Sequence, residues 1–206
     1  MDEARNVREF WFGRESLSAE DLNKRMRFWF GDETSEVRQR RDQQMRARFG
    51  ALFERAARGE LDSWADSPRR RLSLLILLDQ FPRNMFRGTA RAFACDDKAL
   101  ALALSGMQSA ADAALDVVER MFFYMPLQHA ERPEVQEESV IAYRRLLSEA
   151  PEQLRSTFEG ALRSAENHRD IIAQFGRFPH RNRLLGRDST AVEEEWLRIG
   201  GNSFNQ

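Results

Sequence analysis

Between Ser67-Pro68 and Phe81-Pro82 the chain carries Leu72, Leu74, Leu75, Ile76, Leu77 and Leu78 in one stretch with only Ser73 inside it. Ser67 reads as an N-cap with proline at the first helical position, and Pro82, which lacks an N–H, is expected to stop the helix near Gln80. A helix that is apolar almost all round has no face to offer water. It must be enclosed by other elements, and this segment is therefore expected to be the central, most buried one.

The flanking sequence supplies those elements. Val7, Phe10 and Trp11 sit at i, i+3 and i+4, an amphipathic helical spacing. Ser18 and Asp21 open a second helix towards Phe30, and its end, Phe28-Trp29-Phe30-Gly31, echoes Phe10-Trp11-Phe12-Gly13. A third helix is predicted from Thr34 to Arg58, with Val37, Met45, Phe49, Leu52, Phe53 and Ala56 as its buried stripe and Gly59 as its stop. Asp96 caps a helix to Leu104, and another runs from Ala113 to Tyr124 and stops at Pro126. Pro133 and Pro151 open long helices to Glu149 and Phe175, the latter closed by Gly176. Thr190 and Glu193 form a capping box for a short last helix. No stretch alternates with period two. The expected fold class is all-α, with about eight or nine helices packed as antiparallel pairs. One domain over residues 1–206 is the simplest division, with 200–206 a loose polar tail. No strict 34-residue repeat is visible.

One motif occurs twice. Gln80-Phe81-Pro82-Arg83-Asn84 is followed by Arg87 and Arg91, and Arg177-Phe178-Pro179-His180-Arg181-Asn182 is followed by Arg183 and Arg187. Proline fixes its own φ and biases the preceding phenylalanine towards extended geometry. Each phenylalanine is then expected to bury while the arginine and asparagine face outward. Guanidinium forks bind phosphate and carboxylate bidentately. Two such loops suggest one composite anion site in which Arg83, Asn84, Arg87, His168, Arg181, Asn182 and Arg183 contact the ligand. The competing reading pairs these arginines internally with Asp79, Glu131, Glu166 and Asp170.

The same residues carry a resemblance. Leu78 to Asn84 (LDQFPRN), Arg87-Gly88-Thr89 and Ala92-Phe93-Ala94 resemble the signature of a bacterial family of unknown function, numbered 924 among such domains. Phe122 to Glu131 (FFYMPLQHAE) is similar to its second block, and His168 to Ile172 with Gly176 to Gly186 to its third. Phe28 to Gly31 and Gly201 to Phe204 fit its ends, and residues 1–22 match it least. The resemblance implies a tetratricopeptide-like helical fold and no established activity.

Net charge is −1, so the molecule as a whole carries no footprint for nucleic acid or acidic membranes, and any anion site must be local. Among the 32 basic residues only Lys24 and Lys98 are lysine, so basic sites here are planar forks. The run Arg38, Arg40, Arg41, Arg46 and Arg48 alternates with acids and glutamines and reads as a solvated helix face. Cys95 is the single cysteine and reads as a packed thiol, which fits a reducing, cytoplasmic setting. The N-terminus has no signal-peptide core, and no apolar run approaches the length of a membrane span.

Asp79, His129, Glu131 and His180 are the candidates for acid–base chemistry, since a histidine titrates near neutral pH and a carboxylate can orient it. His129 and Glu131 are expected on a loop after Pro126. Asp79 ends an apolar helix, an unfavourable place for a charge, and is expected to pair with an arginine. No HxxxH or HExxH spacing occurs, and neither a metal nor a cofactor is expected. Walker, GxGxxG and GxSxG motifs are absent too. The leading expectation is a binding module for an anionic small molecule or an acidic peptide end, with no nucleic-acid or membrane partner. A hydrolase or transferase at the same cleft is one alternative. A protein–protein adaptor anchored by Trp11, Trp29, Trp64 or Trp196 is another. The oligomeric state is left open.

Overall fold

The central segment is fully enclosed: Leu72, Leu74, Ile76, Leu77 and Leu78 have no solvent exposure, and Leu75 has 1%. Each such side chain stabilises the fold by roughly 1.5–3 kcal/mol. Its one polar interior residue, Ser73, is satisfied because its hydroxyl donates to Ala4 O at 2.7 Å. A computed structural model describes residues 2–13, 19–31 and 34–201, and among these there is no strand.

Three helices come first: α1 (Glu3–Phe12), capped by Asp2, α2 (Ala19–Phe30) and α3 (Ser35–Ala57), capped by Thr34. Ser18, the expected cap of α2, lies outside the described residues, as do 202–206 of the expected tail. Met45, Phe49, Phe53 and Ala56 form the buried stripe of α3, whereas Val37 is 48% exposed because it lies in the solvent-facing first turn. Part of the arginine run of α3 is less solvated than its charge pattern suggests: Arg38 and Arg41 are half-buried, while Arg40, Arg46 and Arg48 are exposed as expected. Arg41 donates to Phe28 O, Arg46 donates to Met85 O, and Arg48 lies over the Phe10 and Phe49 rings.

The central helix does not end before Pro82. It runs as α4 (Pro68–Leu75), widens into a π-helical turn (Ile76–Gln80) and resumes as α5 (Phe81–Met85). In the wide turn the Phe81 N–H bonds to Ile76 O, five residues back. The extra residue lets the proline ring enter the next turn, where its missing N–H is tolerated. The same turn directs both Asp79 and Gln80 into the interior, 1% and 8% exposed.

Asp96 opens α6 (Asp96–Gln108) without capping it: the N-cap is Cys95, and no side chain caps the helix. The chain continues through α7 (Val117–Phe123), whose capping box joins Asp116 and Glu119, to α8 (Met125–His129). Pro126 therefore starts a helix where it was expected to end one, and His129 is the buried last residue of that helix. The long pair α9 (Pro133–Glu149) and α10 (Arg155–Phe175) packs together, with Gly176 closing α10 in a left-handed conformation at φ 71°. A short helical turn (Pro179–Arg181) leads towards α11 (Ala191–Arg198), which opens with the expected Thr190–Glu193 capping box. One large apolar cluster spans α1 to α10, and a smaller one gathers Ile171, Ile172 and Phe178 with Phe175 and Trp196. No helix among the described residues is long and apolar enough to cross a membrane.

Candidate functional site

The two Phe-Pro segments meet, and they meet on an acid. Arg83 donates to both carboxylate oxygens of Asp96 at 2.9 Å, and Arg181 reaches the same Asp96 at 3.4 Å. Arg83 also lies 3.2 Å from Asp79 and donates to its carbonyl at 2.8 Å, while Arg181 donates to His129 O at 3.0 Å. The Arg181 guanidinium lies over the rings of Phe178 and Phe93 at 4.4 and 4.7 Å. Burial, reinforced by the nearby Arg83 charge, pulls Arg181 down to about 10. Burial would also lower Arg83, but Asp79 and Asp96 more than offset it, and its pKa is raised. Asp79, Arg83, Asp96 and Arg181 thus form one interior charge network of balanced sign.

The asparagines repeat the pattern. In the first copy Arg87 donates to Asn84 Oδ1 at 3.2 Å, and in the second Arg187 donates to Asn182 Oδ1 at 3.0 Å. Arg87 continues to Asp42 at 3.3 Å, and Arg187 holds Glu131 through both terminal nitrogens. Glu131 in turn accepts the Phe178 N–H at 2.8 Å and so latches the second loop to the end of α8. Burial alone would raise the Glu131 carboxyl, but these partners hold it below its ordinary value. The expectation that phenylalanine buries in each copy is met by Phe81 and Phe178, both fully buried. The expectation that the following arginine and asparagine face outward is not. Arg83, Arg181 and Asn182 are buried: the two arginines pair with Asp96, and Asn182 donates to Ser189 Oγ and accepts from Arg187.

Beside this network lies a cavity of about 550 Å³ between the ends of α2 and α3, α5, α8 and the first half of α10. Among the described residues, the charged side chains in its wall are Arg38, Arg41, Arg83 and Arg87, with no carboxylate. Met26, Trp29, Phe30, Met121 and Met125 supply an apolar wall, and Gln80, Asn84, Gln128, Tyr143, Ser164, His129 and His168 supply polar groups. Arg181, Asn182, Arg183, Glu131, His180 and Asp79 do not line it; Arg183 is exposed at the surface, and His180 packs beside Phe178.

His129 is held from behind: its Nδ1 lies 2.6 Å from Asp79 Oδ1. Gln80 Nε2 donates to the other Asp79 oxygen at 2.5 Å. Burial would raise the Asp79 carboxyl, yet Arg83 and His129 overcome it and keep it below its ordinary range. The ionised carboxylate therefore accepts, and His129 carries its proton on Nδ1. Burial, then the Arg83 charge, lowers the His129 pKa, and the ring is neutral at pH 7. The neighbouring His168 is set in the same way, its Nδ1–H donating to Ser164 O at 2.7 Å. Burial, then His129, pushes its pKa well down. The two rings meet edge to face with centroids 6.1 Å apart.

Asp96 and the cavity arginines of α3 were not singled out by sequence reasoning. Asp96 looked like a cap because it stands where a helix begins. Arg38 and Arg41 looked solvated amid alternating charge, although their i, i+3 spacing puts them on one face. Cys95 is a buried free thiol whose pKa burial raises, so its place before a helix does not activate it. Among the described residues, no group of three or more His, Cys, Asp or Glu could hold a metal ion. Trp11 and Trp64 are buried, and Trp29 and Trp196 are half-buried.

No curated protein matches the chain. A solved structure of a protein of unknown function, ATU0120 from Agrobacterium tumefaciens, is similar to it, with 34% sequence identity and a TM-score of 0.78. The likeness covers 96% of this chain and 97% of that one. The family model described as "Bacterial protein of unknown function (DUF924)" matches residues 7–201, and the chain belongs to that family.

Proposed function

We propose that this protein binds a small amphipathic anion, a phosphate or carboxylate joined to an apolar body, in the cavity between α2, α3, α5, α8 and α10. The observation that carries the reading is the composition of the wall. Its charged residues, among those described, are all arginine, while Met26, Trp29, Phe30, Met121 and Met125 face the same space. Guanidinium forks fit phosphate and carboxylate oxygens, and a cavity of this size is typical for a small organic ligand. That favours a small molecule over the end of an acidic peptide. The arginines of the second Phe-Pro copy support the wall from behind and do not touch the ligand. A cytoplasmic setting belongs to the same reading and is supported by the buried free thiol of Cys95. The packed pair of α9 and α10 supports tetratricopeptide-like packing.

The test is a thermal-shift series with phenyl phosphate and benzoate beside the uncharged benzyl alcohol. An anion present at a hundred times its dissociation constant adds roughly 2.7 kcal/mol. For a chain of this length that is about 5–10 °C. Wild type is expected to shift with an anion and not with the alcohol, and Arg87→Ala and Arg38→Ala to lose the shift. Equal shifts in wild type and both variants would refute the site.

A further inference from the structure

We propose that His129, positioned by Asp79, is the general base of a hydrolase that cleaves phosphate monoesters of apolar or aromatic alcohols, with water as the nucleophile. The proposal rests on the anion cavity described above and adds a reaction to it.

The geometry is that of a base rather than of a core histidine. A buried structural histidine normally uses both ring nitrogens. Here Nδ1 is committed to Asp79 Oδ1 at 2.6 Å, and among the described residues nothing hydrogen-bonds Nε2. His129 lines the cavity, and with Nδ1 taken by Asp79 the ring nitrogen left to meet a substrate is Nε2. A carboxylate behind Nδ1 fixes the tautomer and stabilises the imidazolium that forms when Nε2 takes a proton. Asp79 is a positioning residue: it lies behind His129 and off the cavity wall. The neutral state of His129 at pH 7 supplies the form a base requires.

The nucleophile follows from the neighbours. Among the described residues no serine, threonine or cysteine side chain hydrogen-bonds His129. A covalent intermediate on such a residue has no activated attacker, and water remains. The substrate class follows from the wall. Arg38, Arg41 and Arg87 in that wall meet a group that is charged before and during reaction, as a phosphoryl dianion is, while Arg83 stays paired with Asp79 and Asp96. A neutral carboxylic ester makes no use of them in its ground state. Trp29 and Phe30 suit an aromatic leaving group.

In the step, a water O–H bond breaks and its proton goes to Nε2 as the water oxygen forms a bond to phosphorus. The ester P–O bond breaks, and its electron pair leaves on the alcohol oxygen. The imidazolium then sheds its proton to solvent, and the alkoxide takes one up from it. Ester and water give alcohol and inorganic phosphate, with no other reactant.

The experiment assays full-length protein with p-nitrophenyl phosphate and the neutral p-nitrophenyl acetate, and follows its melting in inorganic phosphate. Wild type is expected to release nitrophenolate from the phosphate ester in preference to the acetate. His129→Gln should lower kcat about 100-fold while inorganic phosphate still raises its melting temperature. Asp79→Asn should lower kcat and displace the acidic limb of the pH–rate profile, which a merely structural change would leave in place. If His129→Gln does not fold, diethyl pyrocarbonate, which acylates neutral imidazole, takes its place: wild type must lose activity, and phosphate must slow that loss. No release from the phosphate ester, a preference for the acetate, or an unchanged rate in His129→Gln overturns the proposal. Stabilisation by phosphate without turnover removes the hydrolase and leaves the anion cavity standing. Neither stabilisation nor turnover removes both.

Discussion

Arg83 and Arg181, residues of two sequence segments nearly a hundred positions apart, grip the same carboxylate, Asp96, at 2.9 and 3.4 Å. The duplicated Phe-Pro motif thereby becomes a clamp that fixes α5 and the loop after α10 to the start of α6. Each phenylalanine anchors its segment in an apolar cluster, and each arginine reaches the shared acid.

Removing that acid takes the shared partner from two buried guanidiniums and, among the described residues, leaves Arg181 without a carboxylate at its side chain. Breaking a buried ion pair by deleting one partner typically costs about 3–5 kcal/mol. Asp96→Ala is therefore expected to lower the melting temperature by about 6–20 °C, at roughly 2–4 °C per kcal/mol for a chain of this size. Thermal unfolding followed by circular dichroism checks it. A change under 2 °C would show that Asp96 does not clamp the two segments.

The arginines of the first copy should divide by role. Arg83 is buried in the network, so Arg83→Ala is expected to cost about 3 kcal/mol in the free protein. Arg87 is 30% exposed in its side chain and pairs with Asp42 near the cavity rim, so Arg87→Ala should cost about 1 kcal/mol or less. Melting temperatures with and without phenyl phosphate separate the two: Arg83→Ala lowers the baseline, and Arg87→Ala keeps the baseline but loses the ligand shift. A reversal of that order would place the ligand against the other arginine.

Much of this architecture could be read in advance wherever one local signal decides the matter. The apolar ring of Leu72 to Leu78, the Thr190–Glu193 box, Pro133 at a helix start and Gly176 at a helix end each act through residues within a turn of one another. Pro82 and Pro126 misled because the rule that proline stops a helix assumes regular four-residue bonding. A π turn before Pro82 and a fresh helix start at Pro126 evade it. The site was half legible. The repeated motif pointed to Arg83 and Arg181 together, and Asp79 pointed to an arginine partner. Which way the guanidiniums turn depended on Asp96, whose role is set by packing and not by any neighbour in sequence. His129 was visible as a candidate, but its partner Asp79 lies 50 residues away, and only the fold brings them to 2.6 Å.

Gly106 marks a close approach between α6 and α7. It is buried on α6, and a Cβ there would lie 2.5 Å from Phe123 Cζ and 2.9 Å from Arg71 Cδ. Arg71 could yield, since it is a long side chain, but it is tied to Leu102 O and the Ser105 hydroxyl, and the Phe123 ring is fully buried. Gly106→Ala, which in an exposed helix would stabilise by about 1 kcal/mol, is here expected to destabilise by about 1–3 kcal/mol through overpacking. Chemical denaturation gives the sign directly, and a more stable Ala variant would refute the close contact.

Acid should weaken the fold at an unusually mild pH. His129 and His168 have pKa values lowered below 6.5 by burial, with Arg83 adding to it at His129 and His129 itself at His168. Above about pH 6.5 both rings are neutral in the folded and the unfolded chain, and they add no pH dependence. Below it the unfolded chain takes up protons that the folded chain refuses, so stability falls as pH falls. The slope is up to about 1.4 kcal/mol per pH unit for each ring until its own folded-state value is reached. Asp79 and Glu131, also depressed, act in the same direction at lower pH: their contribution is complete above the ordinary carboxylate range and is lost as pH drops through their folded-state values. Melting temperature is expected to be nearly flat from pH 8 to 7 and to decline as pH falls below 6.5, with His168→Gln lessening that decline. A profile that stays flat down to pH 5 would mean that the two imidazoles accept protons inside the fold as readily as outside it, and the neutral pair assigned here would be wrong.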